Sequence, residues 1–275
     1  MSGHQHPVPS RSAWHRSPLL LALVALAGCP QTPGAATPDQ TSGGSSSSPV
    51  AATEQPTDGD GTVVTVVSAD AQGAAALLPH GLARGDGTPA DRELVTGDRA
   101  FHRSDFQQAK QAYARAVVLA PGDPAPLVGL ARVELAAGDV PTDAGAATDH
   151  PAAKVAAAQL RRAIALDAQY GPAHLELGLT LLVMGQMADA LQSLQVAHRL
   201  SPNDPEASSA LGVALLGQGR APEAVQALER AAGLEPNVAE RQANLGTALV
   251  LAGRVGEAID RYRRAVVLAP DDARL

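Results

Sequence analysis

Aromatic side chains are nearly missing from this sequence: they make up 2% of 275 residues, as one Trp, three Tyr and two Phe. A core without them is filled by small aliphatic groups, chiefly Ala, Leu and Val, within a hydrophobic fraction of 45%. Small side chains let helix axes approach closely, and Ala and Leu are strong helix formers, so the composition favours packed helices over an all-β fold. Positive charge is scarce as well. Lys and Arg number 21 against 28 Asp and Glu, a formal net charge of −7. Proteins that neutralise phosphates need a dense Lys/Arg face, so nucleic acid is not an expected partner. Cys29 stands alone, which excludes an intramolecular disulfide. Enzyme signatures are missing too. The only lysines, Lys110 and Lys154, sit in no G-x-x-x-x-G-K-[ST]; Gly217-Gln218-Gly219 has no third glycine; neither G-x-S-x-G nor H-E-x-x-H occurs. His174 and Glu176, two apart on a helix, point to different faces. Asp143, Asp149 and His150 share what reads as a surface loop, so no metal, cofactor or catalytic residue is expected.

What is present begins with Arg11, His15 and Arg16, followed by the apolar run from Leu19 to Ala27. That run is about half of the ~20 residues needed to cross a bilayer, so it reads as a signal-peptide core rather than a span. It ends in Leu26-Ala27-Gly28-Cys29, which resembles the lipobox of bacterial lipoproteins. The resemblance implies that residues 1–28 are removed and that Cys29 becomes the lipidated first residue. Each buried acyl CH₂ contributes ~0.8 kcal/mol, and two or more chains hold a protein stably on a membrane. Cleavage removes Arg11 and Arg16 and no acid, taking the formal charge from −7 to −9, so lipid rather than surface charge must do the holding. Pro30 stands where inner-membrane retention in many enteric bacteria would place Asp, and the expected location is the outer membrane, facing the periplasm.

Residues 29–61 then form a Pro-, Gly-, Ser- and Thr-rich stretch with too few large apolar groups to offset chain entropy. As a random coil of ~30 residues it would span roughly 30 Å. Residues 62–89 are harder to read. Thr62 to Val67 suggests a short extended piece, Ala74 to Leu78 a brief helix stopped by Pro79, and Gly81, Gly85 and Gly87 a loosened chain.

Beyond that the sequence repeats itself every 34 residues. Gly178, Gly212 and Gly246 keep step with Leu177, Leu211 and Leu245 before them and with Leu181, Leu215 and Leu249 after. Next come Gly185, Gly219 and Gly253; Ala190, Ala224 and Ala258; Leu194, Leu228 and Tyr262; Ala197, Ala231 and Ala265; and Pro202, Pro236 and Pro270. Apolar residues three and four apart make one stripe per helix, small residues allow close packing, and Pro ends the second helix. Gly97, Ala109, Tyr113, Ala116 and Pro121 mark an earlier unit, though Thr96 and Ala100 are small for their places. Leu130, Ala131, Gly138, Ala156, Leu160, Ala163 and Leu166 mark another that is 13 residues too long, with the excess near 140–152 between its two helices. Five units thus fill residues 90–272.

The pattern resembles the tetratricopeptide repeat, departing from it at position 4, where His174, Ser208 and Gln242 replace a large apolar residue. The resemblance implies an all-α solenoid of helical hairpins with a concave groove lined by the first helix of each pair. Carried onto this chain, the groove positions are Leu175, Leu179, Leu182, Val183, Glu206, Ser209, Val213, Leu216, Glu240, Thr247, Val250 and Leu251. They describe an apolar surface with an acidic rim, suited to a helix or extended segment with aliphatic anchors. Position 5 carries no Lys, and position 9 holds Asp98, Arg132, Leu179, Val213 and Thr247, which disfavours the clamp that grips a chaperone's carboxylate tail. Val266 and Val267 on the last helix are expected to be partly bare, a place for self-association. The whole resembles the lipoproteins with such repeats that assemble secretin rings and pili or organise cell-wall enzymes. It implies a membrane-anchored scaffold for another envelope protein or peptide segment. The alternative is a substrate-binding array associated with an enzyme acting on envelope glycan or peptide.

Overall fold

The computed structural model describes residues 80–270. Cys29, the segments 1–28 and 29–61, the extended piece at 62–67 and the helix at 74–78 lie outside them. The described residues form ten helices and no strand: α1 (Pro89–His102), α2 (Phe106–Leu119), α3 (Ala125–Ala137), α4 (Pro151–Leu166), α5 (Gly171–Val183), α6 (Met187–Leu200), α7 (Pro205–Gly217), α8 (Ala221–Leu234), α9 (Ala239–Leu251) and α10 (Val255–Leu268). Consecutive helices pair as antiparallel hairpins and each hairpin stacks on the next. Successive odd-numbered helices also touch one another, which places them on the inside of the curve.

Glycine at the eighth position of a unit seats the large residue sixteen places later. A methyl group on Gly97 would meet the Tyr113 ring at 2.5 Å, one on Gly178 would meet Leu194 Cγ at 2.5 Å, and one on Gly212 would run into Leu228. Gly129 borders Tyr113 from the other side, with the ring 2.6 Å from where a Cβ would stand. The alanines at positions 20 and 27, from Ala109 and Ala116 to Ala258 and Ala265, are all buried between the helices. Turns between paired helices need one left-handed residue, supplied by Gly185, Gly219 and Gly253. In the first two hairpins non-glycine residues adopt it: Ser104 at φ 59° and Asp139 at φ 49°.

Seams between hairpins repeat with the same period. Arg230 Nε donates to Pro202 O at 2.5 Å, and Arg264 Nε donates to Pro236 O at 3.2 Å; their Nη2 groups reach Asn203 and Asn237. The polar residues at position 4 belong to these junctions as well. His174 Nε2 lies 3.0 Å from Ala168 O, Gln242 Nε2 donates to Pro236 O at 3.1 Å, and Ser208 Oγ lies 3.1 Å from Asp204 O. What the sequence presents as lost apolar packing is a set of hydrogen bonds to the preceding turn, which is how a buried polar group is tolerated.

The extra residues of the second hairpin fold back onto α5. Gly145 N donates to Leu182 O at 3.0 Å, beside the Gly185 N–H, and Ala147 N caps Val183 O at 2.8 Å at the end of that helix. Ala147 and Val140 are buried beneath the loop, and Gly145 and Gly185 approach so closely that a Cβ on Gly185 would sit 3.3 Å from Gly145 Cα. Of the loop's polar groups, Asp149 pairs with Lys154 at 2.8 Å.

Candidate functional site

The inner helices present two different surfaces, and the first is already covered by the chain itself. Residues 80–87, where three glycines suggest a loosened stretch, lie instead against α1 and α3. Leu82 is 3% exposed and joins the core. Its N–H and that of Ala83 donate to Asp98 Oδ2 at 2.7 and 3.0 Å, while Tyr113 OH donates to Asp98 Oδ1 at 2.8 Å. Asp91 takes the N–H groups of Arg84, Gly85 and Gly87 at 2.7, 3.3 and 3.4 Å. Both carboxylates project from α1, seven residues apart and so on one face of the helix. The Arg84 guanidinium donates to both oxygens of Asp123 at 2.7 Å and lies 5.8 Å from the centre of the Tyr170 ring. Arg132 on α3 donates through Nη1 to His80 O at 2.9 Å and through Nε to Glu176 on α5 at 2.6 Å.

The electrostatics follow the geometry. Burial pushes the Tyr113 phenol up, reinforced by Asp98 beside it. Burial also raises Tyr170, to about 12, against the opposing pull of Arg84. Partial burial works to raise Asp123, but the hydrogen bonds from Arg84 and from the Ala125 N–H outweigh it and hold the carboxyl below its ordinary value.

The second surface runs along α5, α7 and α9, and the residues expected to line it are distributed unevenly. Leu175, Leu182, Val183 and Val213 are buried in the core, Leu182 and Val183 beneath the loop of the second hairpin. Leu179 and Leu216 are half-buried against that core. Glu206 is half-buried and bonded to Arg241 Nη2 at 2.7 Å, and that arginine also reaches Glu235 at 3.0 Å, riveting α7 to α9. Ser209 is buried, with no hydrogen-bond partner for its hydroxyl among the described residues. Thr247 turns toward its hairpin partner, 2.9 Å from Tyr262 OH, and Glu240 is half-exposed. Val250 and Leu251 stand open at 44% and 47% exposure.

Position 12 therefore makes a row of Leu182, Leu216 and Val250 that is progressively uncovered toward the last hairpin. On its outer side, Ile259 and Val266 are 45% and 44% exposed, where Val225 and Ala232, 34 residues earlier, are buried by the next hairpin. Val267 is 79% exposed.

Nothing in the sequence pattern marks Asp91, Asp123 or Tyr170. Asp98 and Arg132 stand out there only as the wrong residues for a carboxylate clamp; their signal is a charge at a groove position of an inner helix. No group of three or more His, Cys, Asp or Glu suited to a metal occurs among the described residues.

Against this geometry, the family model described as Tetratricopeptide repeat matches residues 94–154, 153–205 and 209–273, more than half of the chain. Among solved structures, MamA from Desulfovibrio magneticus RS-1 is 20% identical with a TM-score of 0.52, covering 68% of this chain and 98% of that one. A thermophilic TPR protein from Thermus thermophilus is 22% identical with a TM-score of 0.51, covering 66% of this chain and 93% of that one. YrrB, described as a TPR protein with an unusual peptide-binding site, is 21% identical with a TM-score of 0.50, covering 65% and 85%. At these identities the likeness establishes the fold. No curated protein matches the chain.

Proposed function

Since the chain belongs to the tetratricopeptide repeat family, we propose that it is a lipid-anchored scaffold of the bacterial envelope whose inner helices dock a segment of another envelope protein. Repeats of this family and the matching folds suggest protein–protein interaction; the anchor, the compartment and the class of partner go beyond that. The observation that carries the docking surface is the position-12 row, in which half-buried Leu216 and open Val250 follow buried Leu182, with half-buried Leu179 and open Leu251 beside it. An aliphatic strip of this kind suits a helix presenting residues at i, i+3 and i+4, or an extended segment with apolar anchors. The anchor rests on Cys29 and the residues before it, and would hold the solenoid at the outer membrane on the tether of residues 30–61.

A photo-crosslinking residue placed at Val250 in cells should trap one discrete envelope protein. Val250→Glu, on an exposed side chain that the fold does not need, and Leu179→Glu should each abolish specific binding of that protein. Retention of binding in both variants would refute the surface. Cys29→Ser should move the protein out of the membrane fraction; unchanged fractionation would refute the anchor. Self-association through the last hairpin is part of the same reading. It predicts a solution mass above that of one chain that falls when Val267, the most open valine of α10, becomes Asp.

A further inference from the structure

The segment 80–87 is held as a bound peptide would be held. Five of its backbone N–H groups donate to two carboxylates of one inner helix, and one carbonyl accepts from a second inner helix. One aliphatic side chain is buried in the core, and one cationic side chain is gripped by a carboxylate on the turn between hairpins. The contacts come from α1, α3 and the turns before α3 and α5, so they read a chain laid across two units rather than simply closing the start of α1.

That start has its own closure. Thr88 Oγ1 accepts from the Asp91 N–H at 3.1 Å, and Pro89 opens the helix. Gly85 and Gly87, both with positive φ, join the segment to the helix by a short link.

We propose that Asp91, Asp98, Asp123 and Tyr170 form a peptide site occupied in cis by residues 80–87. Its ligand in trans is an extended segment carrying an aliphatic residue two positions before an arginine, as Leu82 and Arg84 do here. The inference rests on the inner helices being the docking surface. Charge complementarity fixes the ligand class. With Arg132 paired to Glu176, the three aspartates receive backbone N–H groups, the Tyr113 hydroxyl and one guanidinium, and an acidic segment would meet repulsion. The tethered segment competes at an effective concentration on the order of millimolar, so an outside ligand gains access chiefly when the segment is released.

The test uses the full chain and a fluorescent synthetic peptide of residues 78–88. Leu82→Ala with Arg84→Ala removes the two side chains that secure the cis segment and leaves the site residues intact. Anisotropy should show the peptide binding this variant about ten- to a hundredfold more tightly than the wild type. Adding Asp98→Asn to the variant, or using a peptide with Glu in place of its arginine, should abolish binding. Equal binding to wild type and variant would overturn the proposal, as would no binding by a variant whose circular dichroism and melting are those of the wild type. Should the double variant lose its helices, Arg84→Ala alone serves with the same readout and a smaller expected gain. Since no envelope partner takes part, this result is separate from the fate of the Val250 surface.

Discussion

At the residue scale, the decisive constraints sit where the backbone turns or a ring is seated. Gly185 and Gly219 both have positive φ, and replacing either by Ala should cost roughly 1 kcal/mol for the left-handed conformation. A Cβ on Gly219 meets open space, whereas one on Gly185 meets Gly145 Cα at 3.3 Å. In denaturant unfolding, Gly185→Ala should therefore lose a further ~1–3 kcal/mol of overpacking energy. The reverse substitution at Ser104, a non-glycine residue in the same region, should stabilise: Ser104→Gly is expected to raise the unfolding midpoint modestly. Protonation supplies a different probe. Burial, followed by the charge of Arg230, lowers the pKa of His198, whose Nδ1 lies 3.2 Å from Ser208 Oγ. A histidine with a folded pKa below its unfolded one stabilises fully above about pH 6.5, and that stabilisation is lost as pH falls through the folded value. Melting curves from pH 7 to pH 5 should show this loss, and His198→Gln should flatten it.

At the element scale, the ten helices follow from what the sequence displays and the irregular segments do not. Periodic Gly, Ala and Leu announce the hairpins because every hairpin meets the same neighbour, so each position is solved once and repeated. The loop near 140–152 has no such period. Its placement is decided by two N–H groups answering the end of α5 and by Ala147 entering the core, which is why Leu182 and Val183, assigned to the groove from their positions, are covered. Residues 80–87 escape the pattern for a related reason: the glycines that signal freedom are there to let successive N–H groups converge on Asp91 and Asp98. Val250 and Leu251, by contrast, lie at groove positions that are also exposed. Ala147→Glu would force an unpaired charge under the loop and should lower stability by at least about 2 kcal/mol. Hydrogen exchange should then show the Gly145 and Ala147 amides losing protection first.

At the scale of the whole molecule, the main helix contacts join neighbouring hairpins, so stability is close to a sum of units and junctions. The first hairpin is fastened by residues 80–87, which Arg132 of α3 also holds through the His80 carbonyl, while the last leaves Ile259 and Val266 uncovered. Native-state exchange should accordingly run from fastest in α10 to slowest in α4–α6, and a uniform profile would contradict this gradient. Arg230 and Arg264 grip the preceding proline carbonyl across an identical offset. Excising residues 205–238 as one block would bring Arg264 opposite Pro202 and restore a matched joint. The architecture can thus be shortened or lengthened by whole units, offering inheritance a route to resize the inner face without redesigning how it is fastened.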